Sequence, residues 1–87
     1  MSIAWFPKFQ LYDSSREIMN FAAIVGDKTI ACAISLEALQ DNFDGDTRKP
    51  TETFVMNRSS IERIAEELIS RQRFEPDGSI LIRTADC

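Results

Sequence analysis

Histidine is absent from the chain, which excludes His-based catalytic triads and His-ligated metal sites. Cysteine is nearly absent: Cys32 and Cys87 make a poor disulfide framework, and a reducing cytoplasmic setting is the simplest reading. Glycine and proline number three each, too few for a low-complexity or collagen-like chain. No apolar run approaches the roughly 20 residues of a membrane-spanning helix. The opening "MSIAWFPKF" has neither a basic flank nor a long apolar centre, so no secretion leader is expected. A basic stripe is missing as well. The net charge is −4, which weighs against a duplex-binding surface built on phosphate contacts.

What is present fits one small folded domain spanning 1–87. Hydrophobic residues make up 44% and charged residues 28% of the 87 positions, an ordinary globular balance. A chain this short buries only about 60–65% of its unfolded surface, so its stability margin is thin. Acidity is concentrated in 35–47, where Glu37, Asp41, Asp44 and Asp46 stand with no base among them.

Two apolar runs, "REIMNFAAIV" at 16–25 and "KTIACAI" at 28–34, flank Gly26-Asp27. The spacing predicts a hairpin with a type II′ turn, since glycine suits its first central position. Pairing Val25 with Lys28 sets Ala23 against Ile30, Phe21 against Cys32 and Met19 against Ile34, an apolar face. The other face, with Ile18, Asn20, Ala22 and Ile24 opposite Ser35, Ala33, Ala31 and Thr29, is smaller and more mixed. A one-residue slip would scramble this sorting. An edge strand is expected around Lys8–Leu11, followed by a turn at Asp13-Ser14-Ser15.

Ser35 is a good N-cap for a short helix, with Glu37 in its first turn and an Ile34–Leu39 staple. A second, long helix is expected from Pro50–Glu52 to about Arg71, because Phe54, Ile61, Ile64, Ala65 and Leu68 recur at helical spacing. Ser59 and Glu62 fit a capping box, a competing reading that breaks this helix at Asn57. "EPDG" turns the chain, and "SILIRT" reads as a buried strand that reaches the sheet through a helical crossover, suiting a parallel pair. The fold class is therefore α+β: three antiparallel N-terminal strands and a C-terminal one, packed by one short and one long helix in the order β-β-β-α-α-β.

The segments "IACAISLEAL", "FVMNRSSIERIAEEL" and "DGSILIRTAD", with "FPKFQLYDSSREIMNF" before them, resemble the small bacterial proteins of domain of unknown function family 1488. The likeness covers nearly the whole chain. It implies a single bacterial α+β domain, and no reaction, cofactor or catalytic residue.

Asn57, Arg58, Glu62 and Trp5 are the candidate binding residues. Asn57 falls on the apolar stripe of the long helix, where an amide is tolerated only if its hydrogen bonds are made. The functional reading is a polar site in which Arg58 holds an anion or a partner carboxylate. The structural reading, which we favour, has Asn57 tying down a neighbouring backbone group and Arg58 pairing with Glu62 one turn on. Asn57-Arg58-Ser59 matches a glycosylation sequon by accident of composition. Trp5 and Phe6 are either an exposed anchor for a partner or, the preferred reading, a cover over one end of the sheet.

Asn42, Asp44 and Asp46 have calcium-like spacing, but Thr47 and Thr53 stand where that loop needs Gly and Glu. Cys32 is read as a small buried hydrophobe, and Glu62, Glu66 and Glu67 as a solvated face. No catalytic residue, metal ligand or cofactor is expected. The leading functional expectation is a cytoplasmic module that binds a protein partner, including a second copy through a sheet edge, without a membrane. A nucleic-acid regulator using Arg48, Lys49, Arg58, Arg63, Arg71 and Arg73 is the alternative. A small-ligand protein or enzyme using Arg58 and a carboxylate is the second alternative.

Overall fold

The computed structural model describes residues 4–43 and 48–87. Its sheet contains β1 (Leu11–Asp13), β2 (Ile18–Val25), β3 (Lys28–Ser35) and β4 (Ile80–Ile82), in that spatial order. Between β3 and β4 run α1 (Leu36–Asn42), α2 (Pro50–Met56) and α3 (Arg58–Ser70). A short 3-10 turn, Thr84–Asp86, follows β4. β1, β2 and β3 pair antiparallel, whereas β4 lies parallel to β3, a pairing that needs the crossover the helices supply.

The β2–β3 register is the one the apolar pattern dictates, from Val25 opposite Lys28 to Ile18 opposite Ser35. Gly26 takes φ +64 while Asp27 stays at negative φ, the signature of the type II′ turn. β1 begins later than expected, at Leu11 rather than around Lys8. Asp13 serves both strand and turn: it pairs with Ile18, and its carboxylate accepts from the Ser15 and Arg16 backbone N–H groups. Upstream, Trp5 forms a two-way backbone bridge with Ile24 at 2.8 and 2.7 Å. A tight turn, in which Phe9 N–H donates to the Pro7 carbonyl at 2.8 Å, separates that bridge from β1.

The core lies on one face of the sheet. Met19, Phe21, Cys32, Ile34, Ile80 and Ile82 meet Leu39 of α1, Phe54 of α2 and Ile61, Ala65 and Leu68 of α3, all buried. Ser35 caps α1 by accepting from Ala38 N–H at 3.1 Å, and Ile34 and Leu39 are both fully buried as the staple predicts.

The single long helix is corrected to two. Asn57 leaves helical geometry at φ −117, ψ 17, and ends α2 while starting α3. Its backbone N–H is shared between the carbonyls of Thr53 (3.2 Å) and Phe54 (3.1 Å), and its side-chain amide donates again to Thr53 at 2.9 Å. The asparagine thus offers the backbone a local partner that competes with regular helix. The break falls where the Ser59–Glu62 reading put it. No capping box forms there, however: α3 starts without a side-chain cap, and Glu62 turns to Arg58.

Candidate functional site

Asn57, Arg58 and Glu62 come together at the α2–α3 joint. Asn57 spends its amide on Thr53, within its own helix pair. Arg58 has three partners. Nη1 approaches the Glu62 carboxylate at 3.4 Å, Nη2 donates to the Gln10 side-chain oxygen, and the guanidinium carbon sits 4.9 Å above the Phe54 ring centre. The side chains of Arg58 and Glu62 are about four-fifths buried. A cation held between a ring, a carboxylate and an amide is stabilised without any external anion. The cluster clamps the N-terminal segment onto the helices. A second tie lies nearby, where the Ala4 N–H donates to Glu66 Oε2 at 3.2 Å.

Trp5 lies elsewhere. Its antiparallel bridge to Ile24 places the two side chains on the same face of the sheet, the face opposite the core. Phe6, the next residue, points the other way and packs on Phe21, with ring centres 6.3 Å apart. The expectation that both aromatics complete the core therefore holds for Phe6 and is corrected for Trp5, which is 61% exposed. Alternation along a strand is the cause. Leu11 shares the Trp5 face through its pairing with Asn20, and is likewise 61% exposed.

This second face carries Ile18, Asn20, Ala22 and Ile24 of β2, Thr29, Ala31, Ala33 and Ser35 of β3, and Leu81 of β4. The three helices contribute their buried residues to the opposite side. Across β2, β3 and β4 on the open face lies a concavity of about 380 Å³, lined by Ile18, Asn20, Ala31 and Ala33 with Arg16 and Pro76 at its border. The surrounding charges are matched. Arg83 bonds both oxygens of Glu75, at 3.2 and 2.8 Å, and holds that carboxyl below its ordinary range. The Ser79 hydroxyl and backbone, with a smaller contribution from Arg16, lower the Asp77 carboxyl.

Cys32 is 2% exposed, and its thiol donates to the Ile30 carbonyl at 3.6 Å. Burial pushes the thiol up to about 12, although a backbone bond from Ala23 pulls the other way. At neutral pH it stays protonated and is a poor nucleophile. Of the calcium-like triplet, Asp44 and Asp46 lie outside the described residues, as does Thr47. Among the described residues, no group of three or more acidic, Cys or His side chains stands close enough to hold a metal ion. No helix among them is long and apolar enough to cross a membrane.

Gln10 and Phe54 as partners of Arg58, and Leu11 as a companion of Trp5, escape sequence reasoning. For Leu11 a signal existed: once Trp5 pairs with Ile24, the period of two along β2 assigns its face. For Gln10 there was none, because the tight turn at Pro7–Phe9 disrupts the period.

The comparisons with known proteins agree with this architecture. The model of the family described as "Protein of unknown function (DUF1488)" matches residues 5–82. The uncharacterized protein YrdB of Escherichia coli K12 is 34% identical over 74 residues, covering 84% of this chain and 87% of its own. Its namesake in Shigella flexneri is 32% identical over the same lengths. A crystal structure of a protein of unknown function from Shewanella loihica superposes with a TM-score of 0.80 at 24% identity, over 91% of this chain and 90% of the other. With the family model spanning most of its length, the chain belongs to the DUF1488 family, whose α+β fold it shares.

Proposed function

We propose that the protein is a non-enzymatic interaction module that holds a protein partner against the sheet face that no described helix covers. One observation carries this reading: Trp5 and Leu11, both 61% exposed, stand on the same sheet face beside Ala22, Ala31 and Ala33. An exposed tryptophan is a residue type enriched at the centre of interfaces, where it supplies much of the binding energy. The polar candidates support the same reading, because Asn57, Arg58 and Glu62 are engaged within the chain. The free thiols of Cys32 and Cys87 favour a reducing, cytoplasmic setting.

The nucleic-acid reading has less support. Of its six basic residues, Arg58, Arg71 and Arg73 are already in ion pairs. Salt-sensitive retention on duplex or single-stranded nucleic acid would restore it.

Trp5 is the chain's one tryptophan, so its emission reports on this face alone. Capture from an extract of the native host should retain a protein on the wild type and lose it on Trp5→Ala. Adding that purified protein should shift Trp5 emission to the blue. Equal retention by both forms, or an unmoved emission, would remove the reading.

A further inference from the structure

We infer that Ala4–Gln10 is a strap that opens and closes as one unit beside β2, locked shut from the helix side by Arg58 and Glu66, and that its closure sets Trp5 beside Leu11 on the opposite face. The opening stands on the strap's own contacts; its consequence for a partner rests on the interaction-module reading.

The strap covers the core without adding to it. No residue from Ala4 to Gln10 is buried, yet Phe21, on which Phe6 packs, is 2% exposed, and Phe54 behind it is fully buried. Nor does the strap run as a regular strand. From Trp5 to Leu11 the chain takes six steps where β2, from Ile24 to Asn20, takes four. The surplus is taken up at the Pro7–Phe9 turn, and no described residue pairs with Ala22 on that side.

Among the described residues, the hydrogen bonds that hold the strap lie at its ends. Ala4 N–H donates to Glu66 Oε2, Trp5 exchanges two backbone bonds with Ile24, and the Gln10 side chain accepts from Arg58. Fixing one residue's backbone costs about as much as one such bond returns. A segment with no buried side chain and few outward bonds therefore opens before the whole domain unfolds.

It opens as a unit because its two ends share one stack. Phe6 packs on Phe21, Phe21 lies 5.2 Å from Phe54, and Arg58 sits over Phe54 while holding Gln10. Loss of Arg58 loosens both ends. Arg58 and Glu66 belong to α3, on the core side, whereas Trp5 and Leu11 face the other way. The lock and the displayed residues are thus on opposite sides of one segment.

Native-state amide exchange separates strap from sheet at two adjacent residues. Ile24 gives both backbone groups to Trp5, so its neighbour Ala23 faces β3, opposite Ile30. The Ile24 amide reports the strap and the Ala23 amide the hairpin. Ile24 should exchange at least about tenfold faster than Ala23. Arg58→Ala breaks the lock and should speed Ile24 by about 5–30-fold. Ser35→Ala weakens the domain at α1 with the strap contacts intact, and should speed Ala23 while leaving Ile24 unchanged. Equal protection of the two amides in the wild type, or an Ile24 rate that follows Ser35→Ala and ignores Arg58→Ala, would overturn the inference. A captured partner at ten times its Kd holds the strap closed and should slow Ile24 by about tenfold. A partner that binds through Trp5 and leaves Ile24 exchange unaltered would overturn the coupling. Capture of no protein would remove the interaction reading and leave the Ile24–Ala23 difference standing, so the two failures are distinct.

Discussion

The Arg58 guanidinium sits over the Phe54 ring, 4.9 Å from its centre, across the break between α2 and α3. The same group reaches Glu62 on α3 and Gln10 in the N-terminal segment. One cation therefore joins α2, α3 and the N-terminal segment.

Arg58→Ala should lower stability by about 1–2 kcal/mol, combining the lost ring contact with the unpaired Glu62 and Gln10. In a domain of this size each kcal/mol shifts the melting temperature by about 4–8 °C. Arg58→Lys keeps the charge without the planar fork, and should recover less than half of the loss. Urea unfolding measures both. A double-mutant cycle with Gln10→Ala should return a coupling of about 0.5–1 kcal/mol.

Asn57→Ala should cost about 0.5–1.5 kcal/mol, the worth of one amide bond to the Thr53 carbonyl. Binding to any captured partner should be unaffected once the variant is compared at equal folded fraction. An affinity loss with full stability would instead make Asn57 a contact residue.

Ser35→Ala removes the cap that accepts from Ala38 N–H. A loss of about 1 kcal/mol is expected, with Ser35→Asp close to wild type because aspartate caps as well. Thermal melts of the three forms check the order.

Cys32 should resist thiol reagents in the native chain and react only after denaturation, whereas exposed Cys87 reacts first. The pH dependence has a definite sign. Folding raises the Cys32 thiol from 9.0 to about 12, so above pH 9 the folded state keeps a proton that the unfolded chain has released. The contribution is intact below about 9 and falls by about 1.4 kcal/mol per pH unit toward 12. Stability curves of wild type and Cys32→Ala should diverge in that window, with the wild type losing more.

Much of this fold was legible because its signals are local. Two apolar runs around Gly26-Asp27 admit one register, and that register formed. Ser35, Ile34 and Leu39 announced α1. The α2–α3 break was offered but not preferred, because the apolar stripe runs through it: Phe54, Ile61, Ala65 and Leu68 all reach the core. Periodicity reports which face is buried and is blind to a single residue's ψ. β1 slipped downstream because Asp13 was assigned wholly to the turn, while its backbone stays in the ladder. At the candidate site, the Arg58–Glu62 pair was visible as an i,i+4 spacing. Gln10 was not, since no local rule links it to a helix so far along the chain. Trp5 was misjudged because hydrophobicity was weighed without strand parity.

Because β4 lies parallel beside β3, the chain must run out and back through three helices before Ile82 can meet Ile34. The β2–β3 hairpin, by contrast, closes across two residues and can form within about 1–10 µs. The expected order of folding is an early hairpin with one side uncovered, then the helices, and β4 last. In that interval the unpaired side of β3 offers its hydrogen bonds to any extended neighbour, so newly made chain is at most risk of aggregation before its final strand docks.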